Sequence, residues 1–132
     1  MTEFVVRLDN RPGSFARVAE VLADAGVNIE ALAAWGLDGD GLARLIVDDA
    51  EAARRALDDA GLDFDEHRIL TSELPNRPGE LARVARSLAD AGINIDALYV
   101  LRATPGVVEL AFAFDEPDEA APHLPVRGGA SV

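Results

Sequence analysis

Cysteine and lysine are both absent from this chain of 132 residues. Without thiols it forms no disulfide, holds no zinc through thiolate and attacks no substrate with a cysteine. Long apolar runs are missing as well, and none reaches the ~20 residues that span a bilayer. The start of the chain lacks the basic stretch and apolar core of a signal peptide. A soluble cytoplasmic protein is the expectation. Positive charge is scarce: 24 acidic residues face 12 basic ones, for a net charge of −12. That excess disfavours phosphate backbones and anionic membranes, so neither nucleic acid nor membrane is expected as a partner.

Signatures of catalysis are also missing. There is no nucleophile elbow, phosphate loop or dinucleotide fingerprint. With 24 acids, nothing singles out a catalytic pair. The acid-rich stretches DDAE (48–51) and DDAGLDFDE (58–66) do not fit a calcium-loop frame and read as solvated surface. His67 and His123 lie far apart and have no second ligand at metal-binding spacing. No metal, no cofactor and no enzymatic activity are expected.

What is present is a repeat. Residues 10–32 read NRPGSFARVAEVLADAGVNIEAL and residues 76–98 read NRPGELARVARSLADAGINIDAL. Of these 23 positions, 17 are identical, and Val/Ile, Phe/Leu and Glu/Asp exchanges are among the mismatches. Two copies are too few for a solenoid. They imply a duplicated small domain, with boundaries at 1–70 and 71–132. The 49% apolar content suffices for a packed core. A unit this small is marginal alone and gains by packing on a second unit or a second chain.

The all-arginine basic set points to a GC-rich genome, in which asparagine is depleted too. Yet four asparagines remain, Asn10, Asn28, Asn76 and Asn94, at equivalent positions of the two copies.

Hydrophobic periodicity and turn residues give the order of elements. A strand at 3–8 leads through Pro12 and Gly13 into a helix at 14–25, capped by Gly13 or Ser14 and stopped by Gly26. Phe15, Val18, Ala19 and Leu22 share its apolar face. Strands at 27–35 and 42–47 flank a hairpin in LDGDG. Asp48 with Glu51 suggests a capping box for a helix at 49–60. A further strand starts near Asp63, and 63–74 reads as one strand serving both copies. The second copy continues with a helix at 80–91 and strands at 93–102 and 107–114. It then has room only for a short helix near 117–123 and a weak last strand including Gly128 and Gly129. Trp35 and Tyr99 read as strand-packing residues. The fold class expected is α+β: two βαββαβ units, the second abbreviated at its C-terminus.

A strand, Asn-Arg-Pro-Gly, a helix of fixed length and Ala-Gly-[Val/Ile]-Asn-Ile, all occurring twice, resembles the ACT domain. That ferredoxin-like unit senses amino acids and other small metabolites. The likeness covers 1–72 and 68–114 well and 115–132 poorly. It is greatest to the ACT domains of phosphoglycerate dehydrogenase, the acetolactate synthase small subunit and free-standing tandem ACT proteins.

The resemblance implies a regulatory protein with a free amino acid as ligand and a partner enzyme. The chemistry of the motif fits. A Pro-Gly loop presents backbone N–H groups at a helix N-terminus, which suits a carboxylate, and asparagine both donates and accepts, which suits a zwitterion. The candidate site residues are Asn10, Arg11, Pro12, Gly13, Ser14, Phe15, Asn28 and Ile29, with Asn76, Arg77, Pro78, Gly79, Glu80, Leu81, Asn94 and Ile95 in the second copy. In serine-binding relatives a loop His precedes the loop Asn by two positions. Here Leu8 and Leu74 stand there, so the resemblance implies an amino acid without naming serine. The loop and strand asparagines belong at opposite ends of a sheet, ~20 Å apart. One ligand would therefore bridge two units, and a homodimer joined through sheet edges is expected.

Overall fold

The computed structural model describes residues 1–125. It divides into two compact units, Met1–His67 and Arg68 onward.

Unit 1 begins with β1 (Thr2–Asp9), α1 (Ser14–Asp24), β2 (Ile29–Leu37), β3 (Asp40–Val47) and α2 (Ala50–Asp59). It ends in the first residues of β4, which runs unbroken from Asp63 to Pro75. β3 lies between β1 and β2 and is antiparallel to both. The opening of β4 lies beside β1, where Arg7 pairs with Asp65 and, at 3.2 Å, with Asp63.

Strand alternation decides which side the helices cover. Phe4 and Val6 of β1 and Leu45 and Val47 of β3 project to one face. They meet Val18 and Leu22 of α1 and Ala53 and Leu57 of α2. These are the positions that helical periodicity puts on a single stripe. Burying a Val or Leu side chain in this way is worth about 1.5–3 kcal/mol.

Unit 2 repeats the plan with the rest of β4, α3 (Glu80–Asp90), β5 (Ile95–Ala103) and β6 (Val107–Phe114). Here β6 lies between β4 and β5. Its core joins Leu74, Leu110, Phe112 and Phe114 to Val84, Leu88 and Ala120. In place of a second long helix stands the single turn α4 (Pro117–Ala120), followed by a 3-10 turn at Ala121–His123. Arg68 anchors α4 through Asp118 at 2.6 Å, and the Ser72 hydroxyl donates to the Pro125 carbonyl at 2.7 Å. The abbreviated second unit is thus observed. The weak last strand expected around Gly128 and Gly129 lies outside the described residues.

Two sequence readings need correction. The cap of α2 is Asp49, whose carboxylate accepts from the Ala52 N–H at 3.1 Å. Asp48 is engaged elsewhere: it accepts from the Asn28 N–H at 2.9 Å, while its own N–H donates to the Asn28 carbonyl. That exchange ties the start of β2 to the end of β3. Trp35 is not a packed strand residue, because it sits near the end of an edge strand and is 51% exposed.

The ion pairs differ greatly in burial. Glu3 is fully buried and accepts from Arg44 Nη1 through both carboxylate oxygens at 3.1 Å. The helical pair Glu51–Arg55, at 3.8 Å, is exposed on both sides. Removing one partner of a buried pair costs about 3–5 kcal/mol, against about 0.3–0.5 kcal/mol for an exposed helical pair. Arg44→Ala is therefore expected to lower the denaturant midpoint strongly and Arg55→Ala hardly at all, as urea unfolding would show.

Candidate functional site

The two NRPG loops adopt the same conformation. Gly13 and Gly79 cap their helices in the left-handed region, at φ 90° and 92°, where a Cβ is strained. Arg11 N–H donates to the Asp9 carbonyl and Arg77 N–H to that of Pro75, both at 3.0 Å. The first helical residue then donates back to the arginine carbonyl, Ser14 to Arg11 at 3.3 Å and Glu80 to Arg77 at 3.4 Å. Proline at 12 and 78 has no N–H to satisfy. The N–H groups of the next two residues in each helix, Phe15 and Ala16 or Leu81 and Ala82, belong to the first turn and lack an intrahelical acceptor.

The loop asparagines have structural work. Asn10 Nδ2 donates to the Asp38 carbonyl at 3.0 Å, and its backbone N–H donates to Gly39 at 3.0 Å. Asn76 Nδ2 donates to the Thr104 carbonyl at 2.6 Å, and its N–H to Gly106 at 3.2 Å. Each asparagine thus ties the loop to the tip of the neighbouring hairpin. In unit 1 the amide lies flat on Gly36, where an added Cβ would stand 2.3 Å from the Asn10 side chain. The corresponding residue of unit 2 is Arg102, and there the hairpin is built differently. It turns through Thr104, Pro105 and Gly106 and carries a register shift between Val100 and Arg102.

The strand asparagines lie elsewhere. Asn28 precedes the first residue of β2, while Asn10 is tied to the turn that follows the last. At ~3.3 Å per residue, the length of β2 separates them by about 30 Å. Asn94 donates to Asp96 at 3.0 Å. Ile29 and Ile95 pack against their cores. Each structure-bound unit therefore presents a loop group and a strand group, not one convergent cluster.

The loop of unit 1 opens onto a cavity of about 560 Å³. Asp9, Arg11, Pro12, Gly13 and Ser14 form one wall, without Asn10, and Arg7, Leu8, Arg17 and the Gly61–Asp63 turn form the rest. Sequence reading missed Arg7, Arg17 and the turn. Arg17 is notable among the described arginines. Each of the others stands 3.8 Å or less from a carboxylate oxygen. Arg17 donates to a neutral carbonyl, that of Ala60, at 2.8 Å.

In unit 2 the equivalent arginines meet an internal carboxylate. Glu80, nearly buried, accepts from Arg77 Nε at 2.8 Å and stands 3.8 Å from Arg83. The Arg77 hydrogen bond holds the Glu80 carboxyl below the usual carboxylate range, outweighing desolvation. A second cavity in unit 1, about 280 Å³, is lined by Leu8, Trp35, Leu37 and Leu42 together with Arg7, Asp40 and Gly41. Among the described residues no cluster of His, Asp or Glu is suited to a metal ion, and no helix is long and apolar enough to cross a membrane.

Two outcomes follow from this geometry. Asn10→Ala should lower stability by about 1 kcal/mol with no ligand present, the usual worth of one hydrogen bond. Gly36→Ala should match or exceed that loss, since it displaces the same amide; both are read by urea unfolding. Glu80 contributes stability above the ordinary carboxylate pKa of about 4.3, and that contribution is lost as pH falls through its lowered folded value. Melting curves of wild type and Glu80→Gln should therefore differ at neutral pH and converge as the pH is lowered below that range.

Comparison with known proteins agrees with the fold. The ACT domain family model matches twice, over residues 2–60 and 67–124. No curated protein matches the sequence. Among solved structures, a protein from Bacteroides thetaiotaomicron is similar with 28% identity and a TM-score of 0.82, over 92% of this chain and 84% of that one. The ligand-free regulatory subunit of aspartate kinase from Thermus thermophilus is similar with 16% identity and a TM-score of 0.69, over 92% and 89%. A structure of aspartokinase alpha and beta subunits gives 18%, 0.67, 92% and 88%. The repeated loop, the two α+β units and the double family match agree: the chain belongs to the ACT domain family.

Proposed function

We propose that this chain is a non-catalytic sensor. It binds a free amino acid and regulates a partner enzyme of amino-acid metabolism. The observation that carries this reading is the cavity at the NRPG loop of unit 1, where a helix N-terminus and three arginines meet in a chain of net charge −12. A helix N-terminus and guanidinium groups are the features that recognise a carboxylate. The partner enzyme is inferred from neighbours in which subunits of this fold serve aspartate kinase as regulators.

Loop and strand asparagines lie too far apart within a unit for one small ligand. In this reading a second copy of the chain supplies the strand groups, and binding is linked to association. Among the described residues β2 and β5 are the outer strands of their units, which supports a homodimer. Leu32, Trp35 and Leu37 on β2 and Leu98 and Val100 on β5 are exposed, and such edges pair readily. The same apolar edges favour a second reading, a regulatory subunit that docks on its partner without a ligand.

Thermal unfolding against the standard amino acids separates the two. A ligand at 100 times its Kd adds about 2.7 kcal/mol, which is several degrees for units of this size. The sensor predicts a shift from one or two amino acids. A flat response across the panel would leave the docking subunit.

A further inference from the structure

We propose that unit 1 alone binds the ligand, and that it holds the carboxylate of an α-amino acid where unit 2 holds the side chain of its own Glu80. The proposal rests on the sensor reading and assigns its site.

The argument starts from an internal comparison. Arg11, Ser14 and Arg17 of unit 1 correspond to Arg77, Glu80 and Arg83 of unit 2. The backbone carrying them is the same: Arg17 and Arg83 each donate to the capping glycine at 3.0 Å, and the capping φ angles differ by only a few degrees. In unit 2 a carboxylate fills the space between the two arginines. In unit 1 the position belongs to serine, whose side chain is too short to pair with either arginine and carries no charge. The consequence is visible on both sides of the missing group. Arg17 has no carboxylate partner among the described residues, and Arg11 has only an exposed 3.5 Å pairing with Asp9. The open cavity lies there.

The lining also fits the rest of an α-amino acid. Asp9 and Asp63 border the cavity and offer carboxylates to an ammonium group. The Ser14 hydroxyl donates or accepts. Leu8 and Leu62 supply apolar surface for a side chain. Unit 2 has Pro75 where unit 1 has Asp9, and Glu73 where unit 1 has Arg7. At its loop, unit 2 therefore carries Glu80 between its arginines and no counterpart of Asp9.

The test is an amide NMR titration of the full chain, first with acetate and then with the standard amino acids. It is repeated on Ser14→Glu, which gives unit 1 the internal carboxylate of unit 2, and on Glu80→Gln. Saturable shifts are expected at Phe15 and Ala16, and none at Leu81 and Ala82, with one amino acid bound per chain. Ser14→Glu should weaken binding by about tenfold or more, as loss of a charge-assisted contact does, while keeping the spectrum of a folded protein. Glu80→Gln should leave the titration of Phe15 and Ala16 unchanged, because Glu80 does not line the unit 1 cavity. Equal shifts at Leu81 and Ala82, or undiminished binding by Ser14→Glu, would overturn the assignment while leaving amino-acid sensing intact. Shifts at Phe15 and Ala16 with acetate but with no amino acid would overturn the amino-acid ligand. A silent spectrum with every probe would overturn both.

Discussion

Each unit depends on one constraint, the turn from its first strand into its first helix. Proline removes an N–H that would have no partner, and glycine takes the left-handed angle that lets the chain reverse within a few residues. The asparagine before them then ties the turn to the tip of the next hairpin. That tie fixes helix, sheet and hairpin at one corner. The same geometry leaves two first-turn N–H groups without intrahelical acceptors at that corner. The stability of the corner and the direction of its helix N-terminus thus arise from one arrangement.

The duplication makes the chain its own comparison. At the two loops the same backbone carries different side chains, which separates what the fold requires from what each unit does with it. Both units keep the glycine cap, the asparagine tie and the paired arginines. Only unit 2 carries the glutamate that neutralises those arginines. Among the described arginines, Arg17 is the one without a carboxylate partner.

Much of the fold was legible in the sequence because its signals are local. Proline, glycine and a single apolar stripe mark α1 and α3, and alternation marks the strands around them. Element ends moved by one or two residues where pairing with a neighbour, not propensity, sets the limit. The Asp48 cap failed for a long-range reason: its carboxylate is drawn to Asn28, twenty residues away in the chain. The candidate site was only half legible. NRPG identified the loop, but Arg7, Arg17 and the Gly61–Asp63 turn reach it through tertiary packing. The retained asparagines suggested ligand contacts, and composition could not reveal that Asn10 and Asn76 already hold the hairpins. The Ser14/Glu80 mismatch was in plain view within the repeat, although its meaning required the arginine positions around it.

Trp35 has a consequence of its own. It is the chain's sole tryptophan, and its indole stands half exposed near the end of an edge strand, beside Leu37 and a small cavity. Indole emission moves to shorter wavelength when water is removed from around the ring. The protein therefore carries an intrinsic fluorophore at the edge where a partner strand would add. Covering that edge changes the colour of its light without any label.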